Sequence, residues 1–147
     1  MRRATIAFAL VLVTALGSAA CVQRQMRIGA NVAPSLIVEQ FLRAANARDL
    51  DTMARLFGTK SGPIIDRDDR RAVEQRMFAI ASELKHTDFE VVSEQMVPGR
   101  TAEATQLTVR LTADERKVSV PFTLVRYKTD SWLIEQIGLE VLTSPKN

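Results

Sequence analysis

The chain of 147 residues has one cysteine, one histidine, one tryptophan and one tyrosine. Each scarcity removes a class of chemistry. A single cysteine, Cys21, has no partner for a disulfide within the chain, so the fold must rest on its apolar core. One Cys and one His cannot supply a Cys/His zinc site, and no metal is expected. The lone His86 has no setting that resembles a hydrolytic triad. Charge of one sign is missing too. The 20 Lys and Arg are interspersed with 17 Asp and Glu, which leaves no electrostatic footprint for nucleic acid. No apolar run reaches the roughly 20 residues that a membrane span requires. Neither a repeat nor a low-complexity segment is present.

What is present begins at the N-terminus. Arg2 and Arg3 precede an apolar run from Ala4 to Leu16, then Gly17-Ser18-Ala19-Ala20, then Cys21. Charge, a short apolar core and small residues, in that order, read as a secretory signal peptide over residues 1–20. Cys21 directly after the small residues resembles the lipobox of bacterial lipoproteins. The resemblance implies that Cys21 is lipidated and becomes the new N-terminus. Ser18 and Ala20 also satisfy the small-x-small rule of ordinary signal peptidase, which would leave a free thiol instead. An odd cysteine in an exported protein is a liability unless it is used, and lipidation uses it. The expected location is the cell envelope, lipid-anchored and facing the periplasm or exterior, with the membrane as partner through the Cys21 lipid. Loss of Arg2 and Arg3 lowers the net charge from +3 to +1 and leaves 127 residues, about one domain's worth.

Residues 21–33 read as the lipidated cysteine and a tether, and residues 34–147 as the domain. Pro34-Ser35 starts a helix in which Ile37, Val38, Phe41, Leu42 and Ala45 recur at helical spacing. A second short helix fits Asp51 to Phe57 and stops at Gly58. Gly62-Pro63 punctuates a loop, and Ile64-Ile65 reads as a short strand. Asp66 or Asp68 is expected to cap a third helix with Val73, Met77, Ile80, Ala81 and Leu84 inside. After Thr87 the period changes to two. Four strands follow, over Phe89–Val97, Thr101–Thr112, Lys117–Tyr127 and Trp132–Leu142, parted by turn residues. Helices first and strands afterwards imply an α+β fold.

A helix ending in Asp49-Leu50-Asp51, a short second helix, Gly58 with a strand near Ile64, a long third helix, and a meander closing on Ser131-Trp132-Leu133-Ile134 together resemble the nuclear-transport-factor-2-like superfamily. The resemblance spans residues 34–142 and is one of layout. It implies three N-terminal helices packed on a curved antiparallel meander sheet, a cone-like half barrel with a ligand pocket on its concave face. It also implies dimerisation through the sheet.

Hairpin registers define the faces. A two-residue turn at Asp114-Glu115 pairs Leu107 with Phe122, Val109 with Val120 and Leu111 with Val118. A turn through Lys128–Ser131 pairs Phe122 with Ile137 and Val120 with Leu139. These residues, joined by Phe89 and Val91, form one apolar face, and a one-residue slip would turn it outward. The far end of the same face is polar, with Ser93, Gln95, Glu103, Thr105, Arg126 and Glu135. Glu103 falls opposite Arg126, with Glu135 diagonal to it. Such a cluster at the end of an apolar cavity suits a small amphipathic ligand. It equally fits a salt-bridge network that ties strands together. The opposite face mixes Trp132, Ile134, Val92, Met96 and Val125 with charged residues, and suits a homodimer contact.

No catalytic residue is assigned. Isomerase chemistry of the superfamily needs an Asp base with a Tyr and a protonated Asp, but Tyr127 falls on the face away from Glu135 and no Asp lies inside a strand. Gly58-Thr59-Lys60-Ser61 has the wrong spacing for a phosphate loop, so no cofactor is expected. As a cation, His86 would suit the end of the third helix. The expected function is a lipid-anchored, non-catalytic domain that binds a small molecule or a protein partner. The alternatives are a homodimeric assembly module without ligand and a pocket enzyme using Glu135 as base.

Overall fold

Pro34 opens α1 (Pro34–Ala47) at a position where its missing N–H costs nothing, and Ile37, Val38, Phe41, Leu42, Ala44 and Ala45 bury one stripe of the helix. The computed structural model describes residues 33–100 and 103–143. Cys21, the signal segment and the tether up to residue 32 lie outside the described residues. Arg48 ends α1 in the left-handed region, at φ 57°. Its N–H donates to the Ala45 carbonyl at 3.2 Å, and the Asp49 N–H to that of Ala44 at 2.9 Å. This paired closure satisfies carbonyls that the helix end would otherwise leave bare.

Asp49 caps the next helix, α2 (Leu50–Leu56), by accepting from the Thr52 N–H at 3.0 Å and the Thr52 hydroxyl at 2.6 Å. Two short strands follow, β1 (Gly58–Thr59) and β2 (Gly62–Pro63), paired antiparallel. Ile64–Asp66 is a single turn of 3-10 helix rather than the expected strand, because Ile64 donates to the Phe57 carbonyl and Arg67 closes back on Ile64. Helix α3 (Arg70–Glu83) is capped by Asp69, which accepts from the Ala72 N–H at 3.0 Å. The cap is thus one residue beyond Asp68 and three beyond Asp66, the two aspartates read from the sequence. Val73, Met77, Ile80 and Ala81 form the expected inner face, with Leu84 just past the helix.

The rest is a four-stranded antiparallel sheet in the order β3 (Asp88–Met96), β4 (Ala104–Ala113), β5 (Arg116–Lys128), β6 (Ser131–Ile137). The protein is α+β. Asp114 and Glu115 both take positive φ, 47° and 64°, the backbone that a two-residue hairpin demands. That turn sets Leu107 opposite Phe122, Val109 opposite Val120 and Leu111 opposite Val118, as expected. Phe122 faces Ile137, but strand pairing ends there. Gly138 donates to the Pro121 carbonyl, and a Cβ at Gly138 would sit 2.6 Å from Pro121 Cγ. The chain then turns into α4 (Glu140–Thr143) instead of extending the strand to Leu142.

The sheet carries three bulges, of which the one at Tyr127 lies beside the turn between β5 and β6 and the other two alter the faces. On β3, Val91 faces Val109 and Ser93 faces Thr108, so Val92 is an extra residue. On β6, Gln136 faces Thr123 and Ile134 faces Leu124, so Glu135 is extra. Each bulge reverses the side-chain alternation beyond it. Leu107, Val109, Leu111, Val120, Phe122, Leu124 and Ile134 share one core with the buried residues of α1, α2 and α3. A smaller cluster, Ala104, Val125 and Leu133 with Val97 and Tyr127 against it, forms on the sheet's other face. Among the described residues no helix is long and apolar enough to cross a membrane.

Candidate functional site

The six polar residues expected at one end of the inner face do not converge. Glu103 keeps its place opposite Arg126, whose N–H donates to the Glu103 carbonyl at 2.8 Å. Its side chain instead pairs with Lys60, from the turn between β1 and β2. Arg126 lies over the Trp132 ring, 4.8 Å from the centroid, and donates to the Thr129 carbonyl at 3.0 Å. Glu135, displaced by its bulge, accepts twice from Arg100, at 2.8 and 3.3 Å. These hydrogen bonds raise the Arg100 guanidinium further above its ordinary value. Ser93 and Gln95, beyond the Val92 bulge, face Thr108 and Gln106 on the opposite side from Thr105. Thr105 remains on the inner side, buried, with its hydroxyl 3.1 Å from Glu94 Oε1 and from the Gln95 carbonyl.

The opposite face differs from expectation for the same reason. Trp132 and Ile134 stand opposite Arg126 and Leu124 and pack with the main core. Val125 is buried in the small cluster, and Met96 stands opposite Thr105. The outer face is left with Gln106, Thr108, Arg110, Thr112, Ser119 and Thr123, the middle of it tied by the Arg110–Glu90 ion pair at 3.0 Å. This middle part of the face is polar, while one end carries the small cluster of Ala104, Val125 and Leu133. The exposed apolar residues Val92 and Met96 lie on the edge strand β3.

A site-like feature lies at the turn between β5 and β6. A cleft of about 480 Å³ opens there, between Ile37 of α1, Leu56 at the end of α2, Pro63 of β2, and Tyr127, Trp132 and Leu133 of the sheet. Arg55, Lys128 and Asp130 also line it. The only tyrosine and the only tryptophan of the chain thus wall one cleft. Each aromatic ring carries a cation, Lys128 Nζ over Tyr127 at 4.8 Å and Arg126 over Trp132 at 4.8 Å. Sequence reasoning placed both aromatics on the outer face and gave Arg55 and Lys128 no role. The available signal was the run Arg126-Tyr127-Lys128 followed by Trp132, aromatic and basic residues on either side of one tight turn.

A second region surrounds His86. It is buried, just past the end of α3. Its Nδ1 is 2.7 Å from the Leu84 carbonyl, so Nδ1 donates, and Nε2 accepts from Asn46 Nδ2 at 3.2 Å. Asn46 also donates to the His86 carbonyl at 3.0 Å and accepts from the His86 N–H at 3.4 Å. The ring edge meets Phe89 with centroids 5.5 Å apart. The ring's Nδ1 holds the end of α3 and its Nε2 ties the segment before β3 to α1, which is a structural role. Among the described residues no group of three or more His, Cys, Asp or Glu is placed to hold a metal ion.

No family model matches the chain, and neither the curated proteins nor the solved structures give a match.

Proposed function

We propose that this protein is a non-catalytic binding domain, exported and held at the cell envelope by a lipid on Cys21, that takes a small molecule into the cleft between Tyr127 and Trp132. The observation that carries the reading is the cleft itself. Its volume of about 480 Å³ falls in the range of small-molecule sites, and its walls are apolar and aromatic with a few polar groups at the rim. The order of elements, two helices, a short hairpin, a long helix and a four-strand meander, supports a nuclear-transport-factor-2-like arrangement with three helices on a curved sheet. A binding role is favoured over catalysis because Glu135, the base an enzyme reading would use, has both oxygens engaged by Arg100. It is favoured over assembly through the sheet because the middle of the outer face is polar.

Native mass spectrometry of the protein released from its own envelope tests the reading. The expected result is a bound small molecule that is lost in Trp132→Ala while circular dichroism stays unchanged. Protein that carries no ligand, and whose tryptophan emission responds to no compound in a metabolite library, overturns it.

A further inference from the structure

Six of the fifteen lysines and arginines among the described residues, Arg43, Lys60, Arg70, Arg76, Arg100 and Arg110, have a carboxylate within ion-pair distance. Among the described residues Arg55, Arg126 and Lys128 have no carboxylate within ion-pair distance, although Arg55 acts on Asp49 from farther off and Asp130 also lines the cleft. Arg126 and Lys128 instead rest on the faces of Trp132 and Tyr127. An apolar wall thus runs into a rim of two cations, Arg55 and Lys128, and one carboxylate, Asp130, with Arg126 over the ring of Trp132. A rim of this kind attracts an anionic head whose body is apolar, since the head gains charge-assisted hydrogen bonds while the body leaves water.

We propose that the cleft binds an anionic amphiphile, an aliphatic or ring body ending in a phosphate or carboxylate. This rests on the reading of the cleft as a ligand site. Arg55 and Lys128 grip the head, and Ile37, Leu56, Trp132 and Leu133 hold the body. Ile37 lies in the first turn of α1, directly after the tether. The twelve tether residues after Cys21 span at most about 40 Å, so an anchored domain keeps the cleft within reach of the bilayer. The amphiphile therefore comes either from the membrane or from solution, and both sources present the same chemistry.

The single tryptophan makes the test site-specific. The purified full chain is titrated with octyl phosphate and with octanol, its neutral twin, and Trp132 emission is followed. Octyl phosphate is expected to saturate the change at a concentration about tenfold lower than octanol. Arg55→Gln and Lys128→Gln, both at exposed positions, should each remove most of that preference and leave octanol unaffected. Vesicles of phosphatidylglycerol and of phosphatidylcholine then separate the sources. A blue shift with the anionic vesicles that octyl phosphate reverses supports a membrane lipid. A response to octyl phosphate alone supports a soluble amphiphile. Equal binding of octanol and octyl phosphate, or glutamine variants that bind as the natural chain does, overturns the anionic preference but leaves a small-molecule cleft. Failure of both probes, together with the absence of any co-purified ligand, overturns the cleft as a site.

Discussion

Arg100 and Glu135 form a two-pronged ion pair, Nη1 to Oε2 at 2.8 Å and Nη2 to Oε1 at 3.3 Å, across 35 residues of chain. The pair clamps the turn between β3 and β4 to the bulge of β6. Both side chains are about one-third exposed, so water and salt weaken the attraction. A double-mutant cycle with Arg100→Ala and Glu135→Ala should give a coupling energy of about 0.5–1 kcal/mol in urea unfolding. It should shrink in high salt. Zero coupling at low salt would show that the clamp does not form in solution.

Phe122 is fully buried, with Leu107 and Ile137 as its cross-strand neighbours. Phe122→Ala should cost about 3–5 kcal/mol, a large share of a domain's stability. Guanidinium unfolding measures it. A change near zero contradicts the register of the central hairpin.

The Asp49 carboxyl is held below its ordinary value, first by the Thr52 hydroxyl, then by the Thr52 N–H, with a smaller pull from Arg55. A depressed folded-state value means stability that is fully present above the unfolded value, about 3.9, and is lost as pH falls through the folded one. Asp49→Ala should therefore cost about 1 kcal/mol near neutral pH. The gap from the natural chain should narrow below about pH 4. Asp49→Asn keeps a cap and should show no such narrowing. Thermal melts across pH decide it, and a gap that is constant into strong acid rules the mechanism out.

Asn46→Ala would leave Nε2 of the buried His86 and the His86 N–H without their partners. The expected cost is about 1–3 kcal/mol. Amide hydrogen exchange at His86 should quicken by more than at Leu107, which lies elsewhere in the core. Unchanged exchange at His86 would mean that the bridge between α1 and β3 is not formed.

Cys21, outside the described residues, is expected to carry lipid. Mass spectrometry of the processed N-terminus should find an acylated cysteine, and Cys21→Ser should release the protein from membranes. An unmodified thiol at that position would refute the anchor.

The central hairpin was legible because Asp114-Glu115 admits one tight turn and the apolar residues on β4 and β5 alternate cleanly. The cap of α3 was legible to within one residue, since Asp66, Asp68 and Asp69 compete at its start. The bulges were not. Val91-Val92 and Leu133-Ile134 place apolar side chains at both parities, so alternation cannot say where an extra residue enters. One hidden residue then carried Trp132 to the opposite face, and a second did the same to Ser93 and Gln95. The expected polar cluster dissolved with them. The cleft escaped notice because its walls come from α1, α2, β2 and the turn between β5 and β6, which no local pattern links.

The bulge at Val92 has a consequence for how copies of the chain meet one another. β3 is the outermost strand of the sheet, where free N–H and C=O groups form a template on which another chain could continue the ladder. At Val92 the spacing of those groups breaks, and Glu90 and Glu94, both exposed, flank the break. An approaching strand would meet mismatched hydrogen-bonding groups and like charges from its own twin. Under the proposed lipid anchor, copies crowded along a membrane would meet far more often than in solution, and a margin that refuses to polymerise would keep them dispersed.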